Sequence, residues 1–316
     1  MPKTLFFNVP AHGHVNPSLP LVAELVRRGH EVTYFTTESY RQRVAATGAT
    51  VAIYDGVEDD YFGVRGLDGS VPQLAARVLL NTTGKILPGL LERVTQAQPD
   101  YLMYDTMCPW GYFLAQITGL PAVASSSLMP LAPRLMRDWK VLRLFLPMLV
   151  KGFQAGNEAN RLSRALGAQY HVTPLGMMNV LSAPADLVIS YSSAAYVPYA
   201  DALEGSVKLV GWTLQTDAAD ETFVHDSQRP LIYVSLGTVA NGNLAFFETC
   251  ITALADLPYD VLITTGGRFE AAQFDPLPAN ITLRPWVPQT QVIQQAALFI
   301  THGGLNSLHE IGRAHV

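Results

Sequence analysis

The strongest constraint on this chain is an alternation of short apolar runs with helical periodicity, made twice over. "TLFFNV" (4–9) reads as a buried strand, and "LPLVAELVRRG" (19–29) as an amphipathic helix closed by glycine. "HEVTYFTT" (30–37), "SYRQRVAATG" (39–48) and "TVAIYD" (50–55) repeat the sequence strand, helix, strand. "DYLMYD" (100–105), "PWGYFLAQITG" and "PAVASSS" (121–127) continue it, and "ADLVISYS" (185–192) and "VKLVG" (207–211) add two further strands. Strands joined through helices must run parallel, with helices on both faces of the sheet. The expected class is therefore α/β, of the doubly wound type.

The alternation then breaks. "WTLQTDAADETFVHDSQRP" (212–230) is polar and acidic, lacks periodicity and ends in proline, so it reads as a linker. Afterwards come "LIYVSLG" (231–237), a helix over 243–256, "DVLITTG" (260–266), "ITLRPW" (281–286), a short helix over 289–296 and "LFITHGG" (298–304). A chain of 316 residues with 49% hydrophobic residues has room for two such cores. The second half shows only four strands, against roughly five or six in a typical open sheet. The expected organisation is a first domain over 1–211, a linker over 212–230 and an incomplete second domain over 231–310.

Several function classes are disfavoured. The net charge is −5, and no basic run or face marks a nucleic-acid partner. Cys108 and Cys250 are far apart and form no CxxC, which fits a reducing cytoplasm and no cysteine-based zinc site. The opening residues read as a strand running into a turn and not as a signal peptide. No segment has the length and apolarity of a membrane span, so no stable membrane anchor is expected.

Open α/β sheets bind ligands where their strands end, so those loops carry the functional reading. The first is "NVPAHGHVNPSLPL". A dinucleotide fold would place GxGxxG here; only Gly13 is present, which argues against a nicotinamide or flavin cofactor. His12 and His14 lack a third ligand at a recognised spacing, so no metal is expected. Each histidine alone could simply fill the turn. Asp105, at the end of another strand, changes that: an imidazole oriented by a carboxylate is a general base with a fixed tautomer. Such a base contributes about 10²–10⁴-fold to a rate.

In the second half, "SLGT" (235–238) offers small residues that let backbone N–H groups approach a phosphate. "WVPQ" (286–289) places an indole at a strand end, where core packing is the competing explanation. "THGGLNS" supplies a histidine, a glycine turn and a helix N-terminus, a ready anion site. Glu310 lies one turn beyond Asn306 on the same helix face and could accept from ribose hydroxyls; otherwise it is a solvated charge.

Taken together, "WVPQTQVIQQAALFITHGGLNSLHE" resembles the donor-binding signature of family-1 UDP-glycosyltransferases. "PAHGHVNPSLPLVAELVRRGHEVTY" resembles the acceptor-domain signature of their bacterial macrolide-glycosyltransferase-like branch. The resemblance implies a GT-B fold, two Rossmann-like domains facing a cleft. It implies inverting, metal-independent transfer of a hexose from a UDP-sugar, UDP-glucose first, to a lipophilic small-molecule acceptor such as a macrolide or phenol. The UDP-sugar is a co-substrate, and no cofactor is implied. By the same resemblance His14 is the base, Asp105 its orienting acid, and His12 stands at a variable position. Trp286 stacks on uracil and Gln289 reaches the ribose. His302 binds the diphosphate, Gly304, Asn306 and Ser307 add phosphate contacts, Thr238 lies near the diphosphate, and Glu310 takes the ribose hydroxyls.

Two expectations go with it. The family's signature continues beyond Glu310, whereas "IGRAHV" (311–316) departs from it and resembles a sequencing-adapter read-through. A non-native tail on a truncated, inactive fragment is then one alternative, and a UDP-sugar epimerase-like protein is the other. "LMRDWKVLRLFLPMLVKGF" (135–153) carries apolar residues at helical spacing, including Trp139, with Phe145 widening the face. In the family this region lines the acceptor pocket; the competing explanation is ordinary packing.

Overall fold

The computed structural model describes residues 1–57, 72–213, 222–237 and 240–314. They form two compact units, one holding every strand up to Leu209 and one holding every strand from Leu231.

The N-terminal unit is built on seven strands: β1 (Lys3–Phe7), β2 (Glu31–Thr36), β3 (Thr50–Ile53), β4 (Tyr101–Asp105), β5 (Ala122–Ser126), β6 (Leu187–Ser190) and β7 (Val207–Leu209). Their order is β3-β2-β1-β4-β5-β6-β7, and every pairing is parallel. The helices are α1 (His12–Arg27), α2 (Arg41–Ala45), α3 (Pro72–Ala97), α4 (Pro109–Thr118), α5 (Trp139–Lys151) and α6 (Phe153–Tyr170). The unbroken apolar run of β1 follows from burial on both faces. Leu5 and Phe7 point to one side and pack with Leu102, Tyr104, Trp110 and Leu87. Phe6 points to the other, with Val15, Leu19 and Val22 of α1 and Tyr34 of β2.

Three local features differ from the sequence reading. Helix α1 starts at His12 and not near Leu19, despite Pro17 and Pro20 inside it. The prolines remove two rungs of the hydrogen-bond ladder, but Val15, Leu19 and Val22 are wholly buried, and that burial holds the helix. Helix α3, 26 residues long, had no counterpart in the sequence reading. The apolar stretch over 135–153 is not one helix. Asp138 caps α5, accepting from Lys140 N–H at 2.9 Å, and Gly152 separates α5 from α6, so Phe153 opens the next element.

The C-terminal unit has four parallel strands, β8 (Leu231–Ser235), β9 (Asp260–Thr264), β10 (Ile281–Arg284) and β11 (Ala296–Thr301), in the order β10-β9-β8-β11. Its helices are α7 (Leu244–Leu254), α8 (Gln289–Gln295) and α9 (Leu305–Ala314). Ile232, Val234, Val261 and Ile263 pack with Phe247 of α7 on one face. Leu231, Tyr233 and Leu262 pack with Val292 and Ile293 of α8 on the other. Part of the stretch read as linker is docked here. Phe223 N–H donates to Gln291 Oε1 at 2.8 Å, and His225 N–H to Gln295 Oε1 at 2.8 Å. The sequence reading makes residues 311–316 a non-native tail, and those of them that the structure describes are helical. Residues 311–314 continue α9, and Ile311 packs on the cluster around Tyr233. Among the described residues no helix is long and apolar enough to cross a membrane.

Candidate functional site

In the N-terminal unit, β1 and β4 are neighbours, with Phe7 level with Tyr104. The residues that follow them are therefore brought together at one end of the sheet. His14 stands in the first turn of α1, where its N–H and that of Val15 both reach Ala11 C=O at 2.9 Å. Its own carbonyl accepts from Asn8 Nδ2 at 3.2 Å, and the same amide donates to Ser18 Oγ and Tyr34 OH. Asp105 ends β4 and is wholly buried. Its Oδ1 accepts from Met107 N–H at 2.7 Å, and its Oδ2 lies 2.9 Å from His14 Nδ1.

Electrostatics follow from this placement. Burial pushes the His14 pKa down, but the Asp105 charge and hydrogen bond outweigh it and leave the value raised. Burial, reinforced by the Asp105 charge, raises the Cys108 thiol and the Tyr191 phenol, so both stay neutral near pH 7. His12, two residues away, belongs to other surroundings. Its ring meets Tyr40 edge-on at 5.2 Å between centroids, and burial and the Arg43 charge lower its pKa.

In the C-terminal unit the described donor residues expected from the sequence follow β10 and β11, in three local groups. Trp286 follows β10 and is 52% exposed. Its indole lies against a turn of Gly266 and Gly267, both left-handed at φ +62° and +74°. A methyl group on Gly267 would stand 3.6 Å from Trp286 Nε1. His302 follows β11 and is wedged between two other glycines. A methyl carbon on Gly237 or on Gly304 would stand 2.5 Å from its ring. Burial lowers the His302 pKa, which makes it a neutral hydrogen-bond partner at pH 7.

Gln289, the first residue of α8, is the hub of the third group. Its Nε2 donates to Glu310 Oε2 at 2.5 Å and to Ser307 Oγ at 3.3 Å, while its Oε1 accepts from Tyr233 OH at 3.0 Å. Asn306 and Ser307 lie in the first turn of α9, where backbone N–H groups and the helix dipole favour an anion. Thr238 lies outside the described residues. Sequence reasoning missed Asn241, which is 1% exposed, presses on Gly266 and, among the described residues, has no hydrogen-bond partner for either end of its carboxamide. It also missed Ser127, whose Oγ lies 2.8 Å from His14 Nδ1.

The two expected acceptor residues do not share a face. Trp139 of α5 is 71% exposed, while Phe145 is half-buried. Six positions apart at 3.6 residues per turn, they point about 120° away from each other. Among the described residues no three His, Cys, Asp or Glu side chains converge as a metal site.

Known proteins resemble this chain in sequence and fold. Residues 215–312 match the model of the UDP-glucuronosyl and UDP-glucosyl transferase family. The NDP-glycosyltransferase YjiC of Bacillus licheniformis is 30% identical over 96% of this chain and 75% of its own length. The oleandomycin glycosyltransferase of Streptomyces antibioticus is 30% identical over 96% of this chain and 70% of its own. The crystal structure of the glycotransferase of kitacinnamycin superposes with a TM-score of 0.82 at 26% identity, covering 100% of this chain and 79% of that one. With the fold class of these GT-B enzymes and their sequence kinship along nearly its whole length, the chain belongs to the family-1 UDP-glycosyltransferases, in the macrolide-glycosyltransferase-like branch, and is a glycosyltransferase.

Proposed function

We propose that the reaction is inverting, metal-independent transfer of a hexose, glucose first among them, from a UDP-sugar to a hydroxyl of a lipophilic acceptor such as a macrolide or phenolic natural product. The observation that carries this reading is the buried contact between His14 and Asp105. With Nδ1–H donated to the carboxylate, Nε2 keeps its lone pair and takes the proton of the acceptor hydroxyl. The oxygen then displaces the nucleoside diphosphate at the anomeric carbon in one step, so configuration inverts. No enzyme nucleophile is needed.

The leaving group must be met by preorganised donors where its charge grows. His302, Gly304 and the first turn of α9 with Asn306 and Ser307 offer such donors, and Thr238 is assigned to the same group by resemblance. Trp286 offers a platform for uracil, and Gln289 with Glu310 offers acceptors and donors for the ribose. On the acceptor side Trp139 and Phe145 of α5 are assigned to an apolar ligand by resemblance, Trp139 being the more exposed of the two.

The test is product analysis with UDP-glucose and a panel of macrolide and phenolic alcohols. Wild type is expected to form a β-linked product in EDTA. His14→Ala is expected to lose about 10²–10⁴-fold in turnover with UDP affinity unchanged, and Asp105→Asn to lose less. Full turnover by His14→Ala on an ordinary alcohol would overturn the assignment.

A further inference from the structure

Three consecutive serines close β5, and each hydroxyl is used differently. Ser125 Oγ pairs with Tyr191 OH at 2.8 Å, and Ser126 Oγ donates to Leu128 C=O at 3.1 Å. Ser127 Oγ stands 2.8 Å from His14 Nδ1, the nitrogen that also lies 2.9 Å from Asp105 Oδ2. Ser127 is 5% exposed and Asp105 is fully buried, so water does not replace either contact freely.

One imidazole nitrogen carries at most one hydrogen, so the two contacts cannot be independent. In one arrangement Nδ1 is protonated, and its hydrogen is shared between the Asp105 carboxylate and the Ser127 oxygen. Nε2 then presents a lone pair. In the other, Ser127 O–H donates to a bare Nδ1, the proton sits on Nε2, and Asp105 Oδ2 faces a lone pair. The second leaves a buried carboxylate with, among the described residues, the Met107 N–H alone to offset its charge. It also removes the basic site. Burial of Asp105 therefore selects the first.

We infer that Ser127 is a positioning residue for the base: its oxygen is the second acceptor on His14 Nδ1–H, and together with Asp105 it fixes the ring and its tautomer so that Nε2 faces the acceptor hydroxyl. This rests on His14 being the base. A single hydrogen bond to Asp105 leaves the ring free to swing about that contact. A second acceptor beside the first removes that freedom and helps hold the imidazolium that forms when the hydroxyl proton arrives. The charge acting on His14 is that of Asp105. Tyr34, Tyr191 and Cys108, the other titratable groups near Asp105, are kept neutral by burial, and His12 turns toward Arg43.

The test reads His14 directly, by nitrogen-15 spectroscopy of the histidine-labelled full chain, alongside kinetics. Wild type is expected to show the Nδ1–H tautomer. Ser127→Ala is expected to lower the His14 titration midpoint and to move the acid limb of the pH–rate profile to lower pH by the same amount. It should lower kcat roughly 3- to 10-fold, the worth of one neutral hydrogen bond, with the donor KM unchanged. Ser127→Thr keeps an oxygen there and is expected to restore both, and Ser126→Ala serves as a control for the strand end. An Nε2–H tautomer in wild type would overturn the inference. So would a Ser127→Ala chain that titrates as wild type does. If His14→Ala retained turnover, the base assignment would fall first, and the spectra would still report whether Ser127 holds the ring.

Discussion

Replacing Gly304 by alanine is expected to displace the His302 imidazole without straining the backbone. The added carbon would stand 2.5 Å from Nε2 and 2.7 Å from Cε1. Non-bonded carbon contacts settle at about 3.5–4.0 Å, so the ring must retreat by about 1 Å. A displacement of about 1 Å in a positioned group can cost on the order of 10²-fold in rate. Two neighbours separate sterics from strain. Gly303 is left-handed at φ +72°, yet a methyl group there meets nothing within 4 Å. Gly303→Ala should therefore cost about 1–2 kcal/mol of backbone strain and leave the imidazole in place. Gly237 combines both penalties, at φ +69° and with its added carbon 2.5 Å from His302 Cε1. Calorimetric titration with UDP and thermal denaturation should be run on all three. Gly304→Ala is expected to lose at least about tenfold in affinity, part of the cost estimated above, with little change in melting. Gly303→Ala should melt lower by roughly 2–8 °C and bind normally, and Gly237→Ala should show both defects. If Gly304→Ala bound UDP as wild type does, or Gly303→Ala lost as much affinity, the wedged imidazole would not be a diphosphate ligand.

Other expectations follow from the same geometry. Trp286→Ala should lose about 1–3 kcal/mol of stacking, read as weaker binding of uridine itself; equal affinity would remove the indole from the base site. Gly111 of α4 lies so close to Tyr104 that an added methyl group would overlap its side chain. Gly111→Ala should cost about 1–3 kcal/mol in denaturant unfolding, and an unchanged midpoint would contradict the packing. The raised His14 pKa makes the pairing with Asp105 a pH-linked source of stability. That contribution is fully present below the unfolded histidine value of about 6.5 and is lost as pH rises through the folded value. The stability margin of wild type over Asp105→Asn should thus widen from pH 8.5 to pH 5.5; a margin independent of pH would sink the linkage. In kinetics the neutral base is required, so the acid limb should lie above about 6.5.

The strands were legible because each is a short apolar run that a two-sided sheet requires, as "LIYVS" in β8 shows. Helix α3 was not, since Gly84 and Pro88 interrupt its pattern and its polar face carries few charges. The start of α1 was obscured by Pro17 and Pro20, whose local penalty is offset by burial that only the folded unit reveals. Asp138 and Gly152 did carry legible stop and start signals within 135–153, but the apolar spacing across them suggested one face. At the site, His14 and Asp105 came from the rule that ligands gather at strand ends. Ser127 obeys the same rule at the end of β5 but has no motif around it. The isolation of Asn241 and the glycine walls around His302 depend on through-space contacts between elements distant in sequence.

The adjacency of β1 and β4 has an evolutionary consequence. Asp105 ends β4, and His14 stands in the first turn of α1, the helix that follows the neighbouring β1, so both are carried by the ladder of two central strands. The exposed apolar residues of α5, Trp139, Leu144 and Val150, take no part in that ladder. Mutation can rework the outer helix one residue at a time while every intermediate keeps its histidine and carboxylate at the same spacing. Under the proposed roles, novelty in what the enzyme accepts is uncoupled from the pair that activates the acceptor, and a lineage can explore the first without losing the second.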